Sequence, residues 1–391
     1  QNNTRLKSRK FHILRQIPSR VSVFSFIFVN EKDVEQMKKR RVYYRIFLSF
    51  TLALAVFFAG MEWITVRQQE TLKQEVSAKA ISKSMLIPGG MPIGIYMETD
   101  GVIVLGTEKI KGMDGQNHEP SKHLLKAGDY ITGMNGSEIK TKKELIKEVE
   151  QMDGKEVILK IRRDGEALNV KTEAVESSPG KYQLGIWVRD SAQGLGTVTF
   201  LTGDSHFGAL GHGIHDTDTN TLLEISDGKL YETSIQNIQK GKKGSPGGIE
   251  GVIVYNNYHI LGRIDKNTDA GIYGTVDNID KLFQELTPIP AAPKEEIQEG
   301  DATIRCAVEG EVKDYKIRIT KIDCNPKEIN KGIVLEVTDE RLLELTGGII
   351  QGMSGSPIIQ NGKLVGAVTH VFVQDASKGY GIFIENMLNN V

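Results

Sequence analysis

The stretch from Gly347 to His370, GGIIQGMSGSPIIQNGKLVGAVTH, sets Ser354 between glycines on a short turn. A serine in that position exposes its hydroxyl while adjacent backbone N–H groups point at a common spot, so one turn supplies both a nucleophile and an oxyanion hole. The N–H groups of Gly352 and Ser354 are the two that would form the hole. A hydroxyl attacks only when a base removes its proton. Of the eight histidines, His212, in SHFGALGHGIHD, is the best placed, because glycines on both sides allow it a close turn; His206 and His215 beside it are less restricted. His370 follows the serine at the end of an apolar strand and reads as a packed structural histidine. The third group of such a set is a carboxylate that fixes the histidine tautomer and stabilises the imidazolium. Asp339 lies shortly before the serine loop, while Asp265 and Asp269 occupy a middle position; spacing leaves all three open. The chemistry such a set performs is acyl transfer. No cofactor is implied, and no metal site: the two cysteines, Cys306 and Cys324, sit in no CxxC or Cys/His pattern.

The elements that must hold these groups are β-rich. In 391 residues there are 41 glycines against 11 prolines, a balance suited to tight turns and short strands, and a formal net charge of -1 offers no concentrated basic surface for nucleic acid. From Tyr182 onward, apolar runs alternate with glycine turns almost to the end, and PIPAAPKEEIQEG within 286–300 punctuates two β-rich halves. With histidine before serine and a G-x-S-G-x-P turn, residues 181–391 resemble the double β-barrel of trypsin-like serine peptidases.

Residues 85–176 form a smaller unit, with short apolar strands, an amphipathic helix at 141–151 and a DG turn within 162–167. PGGMPIGIYM, the GD turn, the NG turn and the helix occur in the order of a PDZ domain, which this unit resembles. The resemblance implies a peptide-binding groove at Met91, Pro92, Ile93, Gly94 and Ile95, to which a peptide adds as a strand. ESSPGK, around 176–181, is the linker.

Residues 1–36 read as a non-native or disordered extension. Met37 opens MKKRRVYYR, and the basic cluster precedes an apolar run, 46–66, long enough to cross a bilayer. The positive-inside rule keeps the basic end cytoplasmic and sends the rest outward, so 37–66 is a transmembrane anchor and 67–84 a stalk.

Together the anchor, the PDZ-like unit, GHGIHD, KNTDAGIYG, VTDERLLELTGG and GMSGSPIIQNGKLVGAVTHVF resemble the stage IV sporulation protein B family, signalling serine peptidases of spore-forming bacteria. The resemblance places the family's catalytic histidine and serine on His212 and Ser354 and its acid on Asp339. It implies a protein at the forespore inner membrane with its catalytic domain in the intermembrane space. After self-cleavage in its own N-terminal region, it would cut a membrane-bound regulator of an intramembrane protease, on the path to late sigma-factor processing. A non-catalytic PDZ-based envelope interaction protein is the competing reading, and intact His212 and Ser354 argue against it.

Overall fold

The computed structural model describes Tyr43, Thr51 and residues 85–152, 155–283 and 285–391. The expected extension, anchor and stalk lie outside the described residues, Tyr43 and Thr51 apart. Among the described residues no helix is long and apolar enough to cross a membrane. The fold is mainly β.

Six antiparallel pairings close a first ring: Pro92–Thr107 with Ile186–Leu201, then His206–Ala209, Gly271–Val276, Ile260–Thr268, Ile225–Tyr231, and back to Pro92–Thr107. A second closed barrel runs Gly300–Cys306, Lys313–Ile322, Ile333–Val337, Asp375–Phe383, Lys363–Phe372 and Pro357–Gln360. Alternation builds both: in Lys313–Ile322, Tyr315, Ile317 and Ile319 face inward while the residues between them face solvent. The stretch 286–300 connects the two rings, contributing Ile289–Pro290 as a partner of Met85–Pro88 on the way. Leu86, Phe200, Tyr273, Leu364, Ile382 and Met387 form a shared apolar cluster. Each such side chain contributes about 1.5–3 kcal/mol by leaving water, which fixes the two rings against each other.

The PDZ-like sheet continues from the first ring instead of standing apart from it. Pro92–Thr107 and Ile186–Leu201 are each 16 residues long and pair along most of their length. Residues 92–98 of the first strand line the barrel, whereas Val102 and Ile103 pair with Tyr130–Met134, which leads on to Glu156–Arg163 and Glu166–Glu173. Register shifts at Trp187/Val188 and Arg189/Ser191, and Gly101 with φ of +96°, mark where the strands bend from one module to the other. The helix Lys142–Glu150, with a Thr141/Glu144 capping box, lays Leu145 on this sheet.

The two expected units share strands: residues 85–99 also take part in the first barrel's hydrogen bonding, and the edge strand of the PDZ-like sheet is 186–189, beyond the expected linker. The linker itself folds into a hairpin, Val175–Ser178 with Lys181–Gln183. An extended segment pairs with whatever edge it reaches, and two long strands satisfy more backbone groups together than a loop between modules would. Both cysteines are free, Cys306 buried and Cys324 exposed.

Candidate active site

Ser354 lies on the turn between the helix Glu340–Thr346 and the strand Pro357–Gln360. Gly352 at φ of +99° and Gly355 at φ of +96° adopt backbone that only glycine takes without strain, and Met353, fully buried, pins the turn into the second barrel's core. The turn is held from the first barrel by one strand. Thr197 donates its N–H to Ser354 O (2.9 Å) and its hydroxyl to Gly352 O (2.8 Å), and the Thr199 hydroxyl donates to Gly355 O (2.8 Å). From the other side Gln351 is bracketed by the hairpin strand Gly248–Ile253: Gln351 N donates to Gly247 O (2.8 Å) and Ile249 N to Gln351 O (2.9 Å). A trans peptide points its N–H opposite its carbonyl, so the Gly352 N–H is turned away from that hairpin. Among the described residues neither the Gly352 nor the Ser354 N–H donates to another backbone carbonyl, which leaves both for an oxyanion.

His212 follows the strand His206–Ala209 through two left-handed residues, Leu210 (φ +68°) and Gly211 (φ +70°). Leu210 is a buried non-glycine residue in a costly conformation, at the place where the chain must turn sharply to aim the next side chain. This turn butts against the serine turn. A Cβ on Gly355 would stand 2.6 Å from Leu210 N, and one on Gly211 3.0 Å from Thr369 Cγ2, so both turns require glycine for close approach. His212 and Ser354 thus follow from adjoining turns, each in contact with the pair Thr369 and His370. The Ser354 hydroxyl donates to Thr369 O (2.7 Å), and the His212 ring stands with its centroid 5.0 Å from that of His370.

His212 Nδ1 is 2.9 Å from Gly213 O. A carbonyl only accepts, so the proton sits on Nδ1 and the Nε2 lone pair is free, the tautomer a general base needs. Burial holds the His212 pKa below the ordinary histidine value; the Gly213 hydrogen bond raises it and the nearby His215 lowers it. Among the described residues no carboxylate is a cause of this shift.

Asp339, expected as the acid, is not brought to His212. It caps the helix Glu340–Thr346: Oδ1 accepts from Leu342 N (3.2 Å) and Oδ2 from Lys316 N (3.1 Å). Thr369 lies near the start of Ile333–Val337, through its hydroxyl on Asn330 O (2.7 Å), while Asp339 lies beyond the end of that strand. Six residues of extended chain separate Ile333 from Asp339, roughly 20 Å. Asp265 is exposed. Asp269 comes nearest the histidines, 3.9 Å from His215 Nε2, with its side chain largely in solvent. Asp216 pairs with Arg189 of the shared strand, which also holds Asp218 (2.8 Å).

The expected peptide groove is also corrected. Pro92, Ile93, Gly94 and Ile95 pair with Thr197, Gly196, Leu195 and Gly194 on one side, Gly94 and Ile95 pair with Tyr231 and Leu230 on the other, and Met91 O accepts from Val198 N. Bonded on one edge throughout and on both at Gly94 and Ile95, this stretch is barrel wall. The PDZ-sheet edge beside the helix Lys142–Glu150 is 186–189, where the Asp190 carboxylate accepts Lys142 N–H (2.8 Å). Sequence reasoning also missed Thr197 and Thr199, two polar residues alternating inside an apolar strand, which was a usable signal.

Among known proteins, the SpoIVB peptidase S55 family model matches residues 180–388, just over half of the chain, and the PDZ domain model matches residues 89–174. A curated relative, the zinc metalloprotease RasP of Shouchella clausii (strain KSM-K16), is 35% identical over 92 residues, 21% of this chain and 22% of that protein. The chain therefore spans about a fifth of that relative's length. Among solved structures, the active form of the Rv3671c protease from M. tuberculosis aligns with a TM-score of 0.29 at 15% identity, covering 51% of this chain and 72% of that one. An HtrA-type protease, AlgW, with a decapeptide aligns with a TM-score of 0.30 at 12% identity, covering 51% of each chain.

Proposed function

Because the chain belongs to the SpoIVB peptidase S55 family and is a serine peptidase carrying a PDZ domain, we propose that it is a sporulation-signalling endopeptidase with Ser354 as nucleophile and His212 as its base. The observation that carries the assignment is the contact of the two glycine turns, which sets a hydroxyl, an imidazole with Nε2 free and two undonated amides at one junction. In this reading Ser354 rotates about χ1 from Thr369 O toward His212. Its Oγ bonds to the scissile carbonyl carbon as Nε2 takes the proton, and the oxyanion rests on the Gly352 and Ser354 N–H groups. His212 then protonates the leaving amine, and water releases the acyl group by the same steps. Looser hydrogen bonding without substrate is ordinary for such pairs.

The finer reading follows from the family and the N-terminal sequence. The chain is held in the forespore inner membrane by 46–66, cleaves itself between the anchor and residue 85, and cuts a membrane-bound regulator of an intramembrane protease. The test uses the full-length chain in lipid vesicles, as wild type and Ser354→Ala, with a fluorophosphonate probe and fragment mapping. Wild type labels on Ser354 and shortens itself before residue 85; Ser354→Ala does neither alone, but is shortened when wild type is added. A Ser354→Ala chain that labels and shortens like wild type defeats the proposal.

A further inference from the structure

His370 has no place in the ordinary account of a serine peptidase, yet it sits where that account has a gap. It lies in an irregularity of the strand Lys363–Phe372, between Val368 and Val371, where pairing with Asp375–Phe383 shifts register. Such bulges re-aim a side chain beside active sites, and this one turns the His370 ring onto His212, with centroids 5.0 Å apart and planes tilted by 38°. The preceding residue, Thr369, is the one whose carbonyl receives the Ser354 hydroxyl. Among the described residues, the buried His370 Nδ1 has no hydrogen-bond partner.

The place of this ring against His212 answers to what His212 lacks. Its Nδ1 is held by the Gly213 carbonyl, which sets the tautomer, but one hydrogen bond to a neighbouring peptide leaves the ring free to pivot about it. The carboxylate that would brace the ring in a triad is elsewhere, capping a helix. We propose that His370 is a positioning residue for the catalytic base: its neutral ring packs on the His212 imidazole and fixes the orientation that a carboxylate otherwise fixes. The inference rests on the reading of Ser354 and His212 as the catalytic pair. The groups facing His370 are His212, His215, Lys331 and Glu328, the last two paired with each other at 2.6 Å. Burial, then the proximity of His212 and Lys331, push the His370 pKa down to about 4. Ring packing beside a base that must itself take up a proton requires a neighbour that stays uncharged, and this one does.

The test compares His370→Ala and His370→Phe in the full-length protein. Hydrolysis of a peptide spanning the chain's own cleavage site is followed alongside the imidazole resonances of His212, the latter titrated in a Ser354→Ala background so that the readout is independent of turnover. His370→Ala is expected to lower kcat by about 10- to 100-fold, the scale of a misplaced catalytic group, with KM nearly unchanged. It should also raise the His212 pKa, because water enters where the ring stood. His370→Phe keeps an aromatic face and should stay within about threefold of wild type in kcat, with the His212 titration in place. A folded His370→Ala protein with full kcat and an unmoved His212 titration overturns the proposal, as does a His370→Phe protein as inactive as His370→Ala, which would assign the role to the ring nitrogen. Failure of the catalytic-pair reading shows separately, as probe labelling that survives Ser354→Ala.

Discussion

Replacing Thr197 by valine removes one hydroxyl and keeps the shape, the β-branching and the N–H bond to Ser354 O. Thr197 is only 3% exposed and Gly352 is half-buried, so the freed carbonyl recovers only part of its hydration. A neutral hydrogen bond is worth about 1 kcal/mol net and an unpaired buried carbonyl costs about 1–3 kcal/mol, which puts the loss at about 2 kcal/mol. For a fold of this size that lowers Tm by about 3 °C. The catalytic effect follows from which peptide is loosened. The Gly352–Met353 unit lies between the two oxyanion amides, and complete loss of one such donor costs about 100- to 1,000-fold in kcat, so displacement without loss should cost about tenfold. Thr199→Val is the control: it removes an equivalent bond, to Gly355 O, on the far side of the nucleophile. It should cost similar stability and leave kcat within about threefold. Differential scanning calorimetry and steady-state hydrolysis of a peptide substrate measure both quantities. If Thr197→Val loses stability but keeps full kcat, or if the two variants lose activity equally, the strand does not shape the oxyanion hole and the reasoning is wrong.

Asp339→Asn should hydrolyse peptides at close to the wild-type rate and melt near the wild-type temperature, since asparagine caps helices as well as aspartate, whereas Asp339→Ala should lose about 1 kcal/mol. A folded but inactive Asp339→Asn protein would return this carboxylate to the chemistry. Acidification should destabilise the fold through His370: the unfolded chain takes that proton near the ordinary value of about 6.5, while the folded chain takes it only at about 4. Stability is therefore complete above pH ~6.5 and declines as pH falls toward about 4, and Tm measured against pH should show a shallower decline in His370→Phe than in wild type. Identical slopes would refute this.

Much of the site was legible because its chemistry is local. A nucleophile on a tight turn needs glycines within two residues, and a base on a sharp strand exit needs the same, so Ser354 and His212 carry their conformational requirements in their immediate neighbours. The DG turn was legible for the same reason: Asp164 and Gly165 both adopt positive φ, at +52° and +82°. So was the helix, whose Thr141 and Glu144 cap each other within one turn.

What the sequence by itself determined, then, is the β-rich class, the family and a set of candidate reactive groups. Only the tertiary structure decided which strand edges are open and which carboxylate reaches which partner. The run from Met91 to Ile95 has the wording of a peptide-binding loop, but an extended apolar strand has no preference of its own between a ligand and the chain's other strands; burial of Ile93 and Ile95 in the first barrel chose the latter. Asp339 has a suitable residue type shortly before the serine loop, but a carboxylate goes to the nearest unpaired donors, and these are Leu342 N–H at a helix start and Lys316 N–H on the adjoining strand. His370 read as packing, and packing is what it does; that the surface it packs against is His212 depended on a register shift in the strand that no spacing in the sequence announces.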